Sequence, residues 1–415
     1  VPELSWEVSY WQNLFIIFSL ENNFMKNGWS FLMILIVGLM SCAKQDSFVR
    51  QEDWDGELVT VFDVTEEQEA TDTLKLSELV KSFRVVPLET SDESLISGRA
   101  RYYAGDSCIL VFQENQISLF DTEGRFVRVI ARQGRAPMEY YGMSDYAVDE
   151  KDNMLYIVER YAEGGIKGYH LKDSAYFKKI ETLERAGHAG IACLENGNFL
   201  LVPYPYNKVK YAFYQQTPEG ELGEYALCHS SRTGIHIGSR PLLFSAGDVY
   251  RYRSDEHDFS DDTIFRIRGN ELIPVWLFKR TNLRHYRADA ETPDWLFLTV
   301  SFVQRHEKIE MEGGTSERIE SISHAYTYHK KTGKLTAVCS FLKDDLWAHA
   351  TWRSFNWHFQ EGHKLCVVCP VADLLHMAEV RRQQGTLSVP APEWNEVVGR
   401  LTEEDNPVLL IGDLK

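Results

Sequence analysis

Short β-type runs and glycine-bearing turns between them predict an all-β fold, a sandwich, barrel or propeller, and a loose recurrence of that unit points toward a propeller of about six blades. Runs rich in apolar, β-branched and aromatic residues occupy positions 83–88, 108–112, 117–120, 126–130, 155–158, 199–202, 263–267, 335–341, 365–368 and 408–411. Their length suits strands better than helices. Turn-type clusters lie between them: Asp121-Thr-Glu-Gly124, Asp149-Glu-Lys-Asp-Asn153, Glu195-Asn-Gly-Asn198, Pro218-Glu-Gly220, Arg268-Gly-Asn270 and Lys331-Thr-Gly333. The unit recurs roughly every 40–50 residues, so positions 83–415 hold about six of them.

Helical signals are few. Residues 77–81 suit a single turn. Residues 370–384 are a stronger case, with Pro370 at the start, Leu374, Leu375 and Ala378 on one side, and Gly385 just beyond. The run at 408–411 follows the turn-like Glu404-Asp-Asn-Pro407 and mirrors the run at 83–88. Propellers commonly complete one blade with strands from both termini, which removes a free sheet edge. These two runs are therefore expected in the same blade.

Composition bounds the function. The chain is 44% hydrophobic and 25% charged, the balance of a folded globular protein. Lys+Arg of 44 against Asp+Glu of 61 gives a net charge of −17. That disfavours a nucleic-acid partner, which calls for a basic surface. The acids are dispersed, as on a solvated surface.

The long apolar stretch lies near the start, where positions 29–40 read WSFLMILIVGLM. A membrane-spanning helix needs roughly 20 apolar residues, a signal-peptide core about 7–15. Met25, Lys26 and Asn27 supply a start residue and a positive flank, and Leu39-Met40-Ser41-Cys42 follows. Such a sequence resembles the bacterial lipobox, whose cysteine is diacylated and becomes the mature N-terminus. The expected organisation is a non-native extension at 1–24, a lipoprotein signal peptide at 25–41, a tether leading into the body at 42–74, and the propeller at 75–415. Cys42 is the expected lipid anchor and the membrane a partner through it. The protein is then placed in the cell envelope on the outer membrane, with the periplasmic or surface side left open.

Six cysteines remain, at 108, 193, 228, 339, 366 and 369. Cys366-Val-Val-Cys369-Pro370 has redox C-x-x-C spacing, but that chemistry wants a helix N-terminus. Both residues sit inside an apolar run, so they are read as buried strand cysteines.

A segment in the first unit resembles a known family. Ile117-Ser-Leu-Phe-Asp-Thr-Glu-Gly-Arg-Phe-Val-Arg-Val-Ile130, followed by Gly134-Arg-Ala-Pro-Met-Glu-Tyr140, is similar to a blade of the six-bladed β-propeller lipoproteins of Gram-negative gut-type bacteria, relatives of the NHL-repeat propellers. Lys75-Leu-Ser-Glu-Leu-Val80 with Val86-Pro-Leu-Glu-Thr90, then Asp262-Thr-Ile-Phe-Arg-Ile267, Asp344-Asp-Leu346 and Asn406-Pro-Val-Leu409, match further pieces in order. The resemblance implies the fold and the anchor and carries no catalytic residues. Where the family writes G-P-G-E-Y, this chain has Ala136-Pro-Met138-Glu-Tyr140. If the family's glycines supply positive φ, the loop must bend differently here.

No motif for hydrolase, phosphate-binding or zinc chemistry is present: G-x-S-x-G, the P-loop pattern and H-E-x-x-H are all missing. Gly234-Ile-His-Ile-Gly238 lacks the third glycine of a dinucleotide motif. Asp255-Glu-His-Asp258 with Asp261-Asp262 is acidic enough for Ca²⁺ but lacks the spaced ligand pattern, so it is read as a solvated loop. Trp347, Trp352 and Trp357, near Tyr326 and Tyr328, could stack on a sugar, and are read first as packing between blades. No catalytic residue, metal ligand or cofactor is assigned. The residues favour a non-enzymatic binding or scaffold module for a glycan, a peptide or an envelope protein. The alternative is a propeller-type hydrolase or lyase, lactonase-like, with a metal in the central channel.

Overall fold

A computed structural model describes residues 48–415, apart from 71, 97–99, 161–164, 173–175, 185–188, 204–208, 228–243, 246–249, 255–261, 282, 312–313, 340, 354–356, 361–362 and 385–391. Cys42 and the signal-peptide segment lie outside the described residues, as do Cys228, the Gly234–238 stretch and residues 255–261 of the acidic cluster.

The described residues begin with a hairpin, β1 (Val49–Trp54) and β2 (Glu57–Phe62), then one helical turn, α1 (Leu76–Leu79), and β3 (Val80–Pro87). Four-stranded antiparallel sheets follow in sequence. Sheet 1 holds β4 (Arg101–Ala104), β5 (Ile109–Phe112), β6 (Gln116–Phe120) and β7 (Phe126–Arg132). Sheet 2 holds β8 (Met143–Asp149), β9 (Met154–Glu159), β10 (Ile166–His170) and β11 (Tyr176–Ile180). Sheet 3 holds β12 (Ala189–Cys193), β13 (Phe199–Pro203), β14 (Tyr211–Gln216) and β15 (Leu222–Leu227). Sheet 4 holds β16 (Phe244–Ser245), β17 (Tyr250–Ser254), β18 (Asp262–Arg268) and β19 (Glu271–Phe278). Sheet 5 holds β20 (Arg284–Glu291), β21 (Trp295–Met311), β22 (Gly314–His329) and β23 (Lys334–Val338). A separate hairpin, β24 (Phe341–Asp344) and β25 (Ala350–Arg353), precedes β26 (Trp357–Gln360) and β27 (Lys364–Cys369). Helices α2 (Val371–Gln384) and α3 (Pro392–Val398) and the last strand, β28 (Val408–Leu414), complete the chain.

Burial explains why the strands read as continuous apolar runs. β5, β9 and β13 are buried along their whole length, whereas the last strand of sheet 3, β15, is mostly exposed. A strand covered on both faces has no wet side and so loses the usual alternation. Here each sheet packs face to face with its neighbours: Leu155 and Ile157 of sheet 2 join the core of sheet 1, while Tyr156 and Val158 point the other way into the core with sheet 3. The first strands of neighbouring sheets adjoin, β8 with β12, β16 with β20 and β26 with β4. This radial, up-and-down arrangement is a β-propeller.

The last sheet runs β26-β27-β28-β3. Leu409 pairs with Val368 and Val86, and Val408 with Cys369 and Pro87. The two runs expected to share a blade do so, with the C-terminal strand between β27 and β3. Asn406, 2% exposed, fastens the corner. Its amide donates to the Glu89 and Ser94 carbonyls at 2.7 and 3.0 Å, and its oxygen accepts from Ile96 N–H at 2.8 Å.

The segment read as a tether contains the β1–β2 hairpin. β2 pairs parallel to β19, setting Val61 beside Leu277 and Phe62 beside Phe278, so sheet 4 is extended to six strands. Phe62 is fully buried against Phe278 and Tyr328, with ring centroids 5.2 and 5.1 Å away. The helical turn expected at 77–81 stands at 76–79, with Val80 already in β3, and the helix expected at 370–384 starts one residue later, at Val371.

Cys366 and Cys369 are fully buried and free. Three positions apart on a strand, they point to opposite faces: Cys366 joins the core with sheet 1, and Cys369 the core with α2 and α3. Burial pushes the Cys366 thiol up to about 12 and Cys369 well above the ordinary range. Among the described residues no helix is long and apolar enough to cross a membrane.

Candidate binding face

In a four-stranded up-and-down sheet, the first-to-second and third-to-fourth connections lie at one end. The second-to-third connection and the link to the next sheet lie at the other. The molecule therefore has two faces, and they differ.

On the first face every connection is short, none longer than 121–125, 171–175, 194–198 or 217–221. Gly124, Asn153, Gly197, Gly220, Gly269 and Gly333 all adopt positive φ there, as tight turns require. Its polar groups are paired with one another. Glu150 accepts from Tyr103 Oη at 2.8 Å, Asp106 N–H at 3.0 Å and Ser107 N–H at 2.8 Å, which ties the turns of sheets 1 and 2 together. Lys330 meets the buried Glu291 carboxylate at 2.5 Å in sheet 5. This is the turn face.

The opposite end, the loop face, carries the whole 370–407 insertion with both helices, and the far half of the β21–β22 ribbon. Among the described residues five exposed large apolar side chains stand on the links between sheets, Leu95 on the link into sheet 1, Met138 and Tyr141 into sheet 2, Leu183 into sheet 3 and Leu283 into sheet 5, while Trp54, Leu58, Val127, Leu222, Tyr225, Leu227 and Ile322 stand on strands. Met138 is 66% exposed and Leu283 57%, more than a side chain serving the core would be.

The 133–142 link is held from below. Lys167 and Glu159, both about nine-tenths buried, meet at 3.3 Å. Lys167 also donates to the Glu139 carbonyl, and Glu159 accepts from Tyr141 N–H at 3.1 Å. Glu139 turns its carboxylate back to Ala136 N–H at 2.9 Å. Neither Ala136 nor Met138 has positive φ, so this loop is shaped by Glu139, Lys167 and Glu159 rather than by glycine freedom. A Cβ on Gly134 would displace the Glu139 carboxylate, the far end of a flexible side chain.

Aromatic and cationic groups surround this link. Arg135 lies 5.4 Å from the Tyr141 ring centre, and Arg101 lies 5.6 Å from that of Tyr146. The Tyr140 and Tyr169 hydroxyls are buried without a hydrogen-bond partner. Burial pushes Tyr140 up to about 12 despite the opposing Arg101 charge. It raises Tyr169 as well, with Glu159 adding to the effect. Both stay protonated donors, suited to hydrogen bonding rather than to base chemistry.

Trp347 and Trp352 are buried, as the packing reading expects. Trp347 sits 4.9 Å from Trp394 of α3. Their turn is organised by buried Asp344, which accepts from Leu346, Trp347 and Ala348 N–H at 3.0, 2.8 and 2.8 Å. Tyr326 and Tyr328 belong to a different core, so these aromatics form no common sugar platform. The Trp357 side chain lies outside the described residues. Among the described residues no three His, Cys, Asp or Glu side chains gather as a metal site, and no observation favours the channel-metal reading. The exposed residues of the links had one signal in the sequence, large apolar side chains inside otherwise polar connections.

The match over residues 59–413 is to DUF4934, a domain of unknown function. This chain belongs to the DUF4934 family. The matched stretch starts within β2 and so takes in the part of that strand that pairs with sheet 4. A protein of Bacteroides fragilis described as exported is similar in structure, at TM-score 0.55 and 17% identity, covering 84% of this chain and 98% of that one. The β-propeller domain of Cps50 (Swd1) from Myceliophteria thermophila aligns at TM-score 0.32 and 9% identity, over 61% of this chain and 88% of that one. No curated protein matches.

Proposed function

We propose that this DUF4934 chain is a lipoprotein held on the outer membrane by lipid at Cys42. Its six-bladed propeller serves as a binding or scaffold module for a glycan, a peptide or an envelope protein. Sheets 1 to 5 and the sheet sealed by β28 supply the six blades, and the β24–β25 hairpin stands between the last two. The exported relative from Bacteroides fragilis accords with an envelope location, and so does the short apolar region ahead of Cys42.

One observation carries the binding reading: exposed Leu95, Met138, Tyr141 and Leu283 all lie on links between sheets, while the opposite face is closed by tight turns. Apolar side chains clustered on one face of a soluble body mark an interaction surface. Arg135, beside the Tyr141 ring, adds a cationic contact on the same link.

The test is capture from the native envelope with the wild type and with a Met138→Glu, Tyr141→Glu, Leu283→Glu variant. The wild type is expected to retain a partner that the variant loses, with both melting alike. Equal capture by the two would remove the loop face from the proposal. The anchor is checked on the same cells: the wild type enters the detergent phase and Cys42→Ala does not, and a native protein without an acyl group overturns the anchoring.

A further inference from the structure

On much of the surface an exposed arginine meets a carboxylate: Arg125 pairs with Asp121, Arg287 with Asp289, Arg382 with Glu379 and Arg400 with Glu396. Two exposed arginines of the loop face do not. Arg132, at the end of β7, donates to the neutral amide oxygen of Gln116 at 2.7 Å. Arg135, on the 133–142 link, lies against the Tyr141 ring. Neither meets a carboxylate among the described residues. The link's own acid, Glu139, is turned onto Ala136 N–H, and Glu159 is held by Lys167 and Tyr141 N–H.

The link is also closed on itself. Gln133 and Tyr140 pair as a bridge, Gly134 N–H donates to the Tyr140 carbonyl at 3.0 Å and Glu139 N–H to that of Ala136 at 2.9 Å. Arg135 is therefore presented by a fixed turn, which lowers the ordering cost of an ion pair made there. Beside it stand Met138, 66% exposed, and Tyr141, 43% exposed. Arginine, methionine and tyrosine are enriched where one protein covers another. A sugar stacks on an open aromatic face, but here one face of Tyr141 carries Arg135, and the most exposed neighbour is a thioether that suits an apolar side chain. The chain as a whole carries −17. At physiological salt charges act over about 8 Å, so the guanidiniums on the spot decide what docks there.

We infer that the 133–142 link receives an acidic segment of another protein. A carboxylate of that segment pairs with Arg135, Arg132 favours a further acid, and an apolar side chain of the segment covers Met138. The inference rests on the reading of the loop face as a binding surface and narrows it to one class of partner.

A benzophenone side chain placed at position 136, exposed on the same turn, is photolysed in intact cells and the crosslinked peptide is sequenced. The expected product joins this chain to a different protein, at a segment with Asp or Glu beside an apolar residue. Arg135→Glu should lower the yield by about tenfold or more, as like charges brought together do, with the thermal melt unchanged. Changing the acid of the crosslinked segment to Lys should restore the yield in the Arg135→Glu protein. The purified complex should weaken several-fold when salt rises from about 0.1 to about 0.5 M. Crosslinking to a glycan or to a second copy of this chain overturns the inference. So does an Arg135→Glu protein that crosslinks as the wild type does, a charge exchange that restores nothing, or the lack of any crosslink. These outcomes leave the loop face as a binding surface as long as the Met138→Glu, Tyr141→Glu, Leu283→Glu variant still loses the captured partner; equal capture removes that reading as well.

Discussion

The turn face and the loop face are built from the same strands and solve different problems. On the turn face many of the reversals between adjacent strands pass through positive φ, at Gly124, Asn153, Gly197, Gly220, Gly269 and Gly333. Its carboxylates are spent on neighbouring N–H and ammonium groups, as Glu150 and Glu291 show. The loop face spans larger gaps, accepts the 370–407 insertion and leaves Met138 and Leu283 in water. Rigidity on one side lets the other side vary without loss of the ring. The comparison teaches that the two ends of the same strands are built differently, so substitutions should sort by face.

The largest effect should come from breaking the frame that carries both faces. Val408, Leu409, Leu410 and Ile411 are at most 3% exposed, and burial of such side chains contributes roughly 1.5–3 kcal/mol each. A domain holds only about 5–15 kcal/mol in total. β28 is also an interior strand of its sheet, so its removal separates β27 from β3 and takes Asn406 with it. A chain ending at Asp405 should show no cooperative thermal unfolding. If it melts within about two degrees of the full chain, the terminal strand does not seal the ring.

The two faces were unequally legible in the sequence. Asp121-Thr-Glu-Gly124 and Glu195-Asn-Gly-Asn198 announce their turns because the signal is local: only certain residues tolerate the backbone angles required. The run at 408–411 could be matched to 83–88 since both read as buried strands. The β1–β2 hairpin is hidden in a segment that looks like a tether because its partner, β19, lies more than 200 residues away, and nothing in Glu57-Leu-Val-Thr-Val-Phe62 names that partner. The outer half of β21, Arg305-His-Glu-Lys-Ile-Glu310, has a charged pattern that hides a strand. The Glu159–Lys167 pair was illegible too, since each residue alone looks like a solvated strand end.

A sharper version of the comparison uses two glycines of the turn face. Gly124 and Gly197 have nearly the same φ, 85° and 81°. A Cβ on Gly124 would drive into the Pro87 carbonyl oxygen, backbone of the sealing sheet, whereas one on Gly197 meets nothing. Gly197→Ala should therefore cost only the left-handed backbone penalty, about 1–2 kcal/mol. Gly124→Ala should cost more, about 3 kcal/mol or above, because backbone must move. Urea midpoints of the two variants read the difference directly. Equal midpoints would mean that the turn face does not press on its neighbours.

The smallest effect belongs to the loop face. Met138 sits at the tip of the 133–142 link, 66% exposed, while the link itself is held by Glu139, Glu159 and Lys167. Met138→Ser removes a side chain that fills no core, leaves no cavity and strands no polar group. Such surface changes usually stay within about 0.5 kcal/mol, which for a domain of this size moves the melting temperature by about 2 °C or less. Glu159→Gln, by contrast, leaves the ammonium of Lys167 buried without its charge partner, and should destabilise by more than Met138→Ser does. A melt of the Met138→Ser protein lowered by about 4 °C or more would show that this methionine is packed against something. It would then no longer count among the exposed apolar side chains of the loop face, and the contrast between the faces would rest on Leu95 and Leu283.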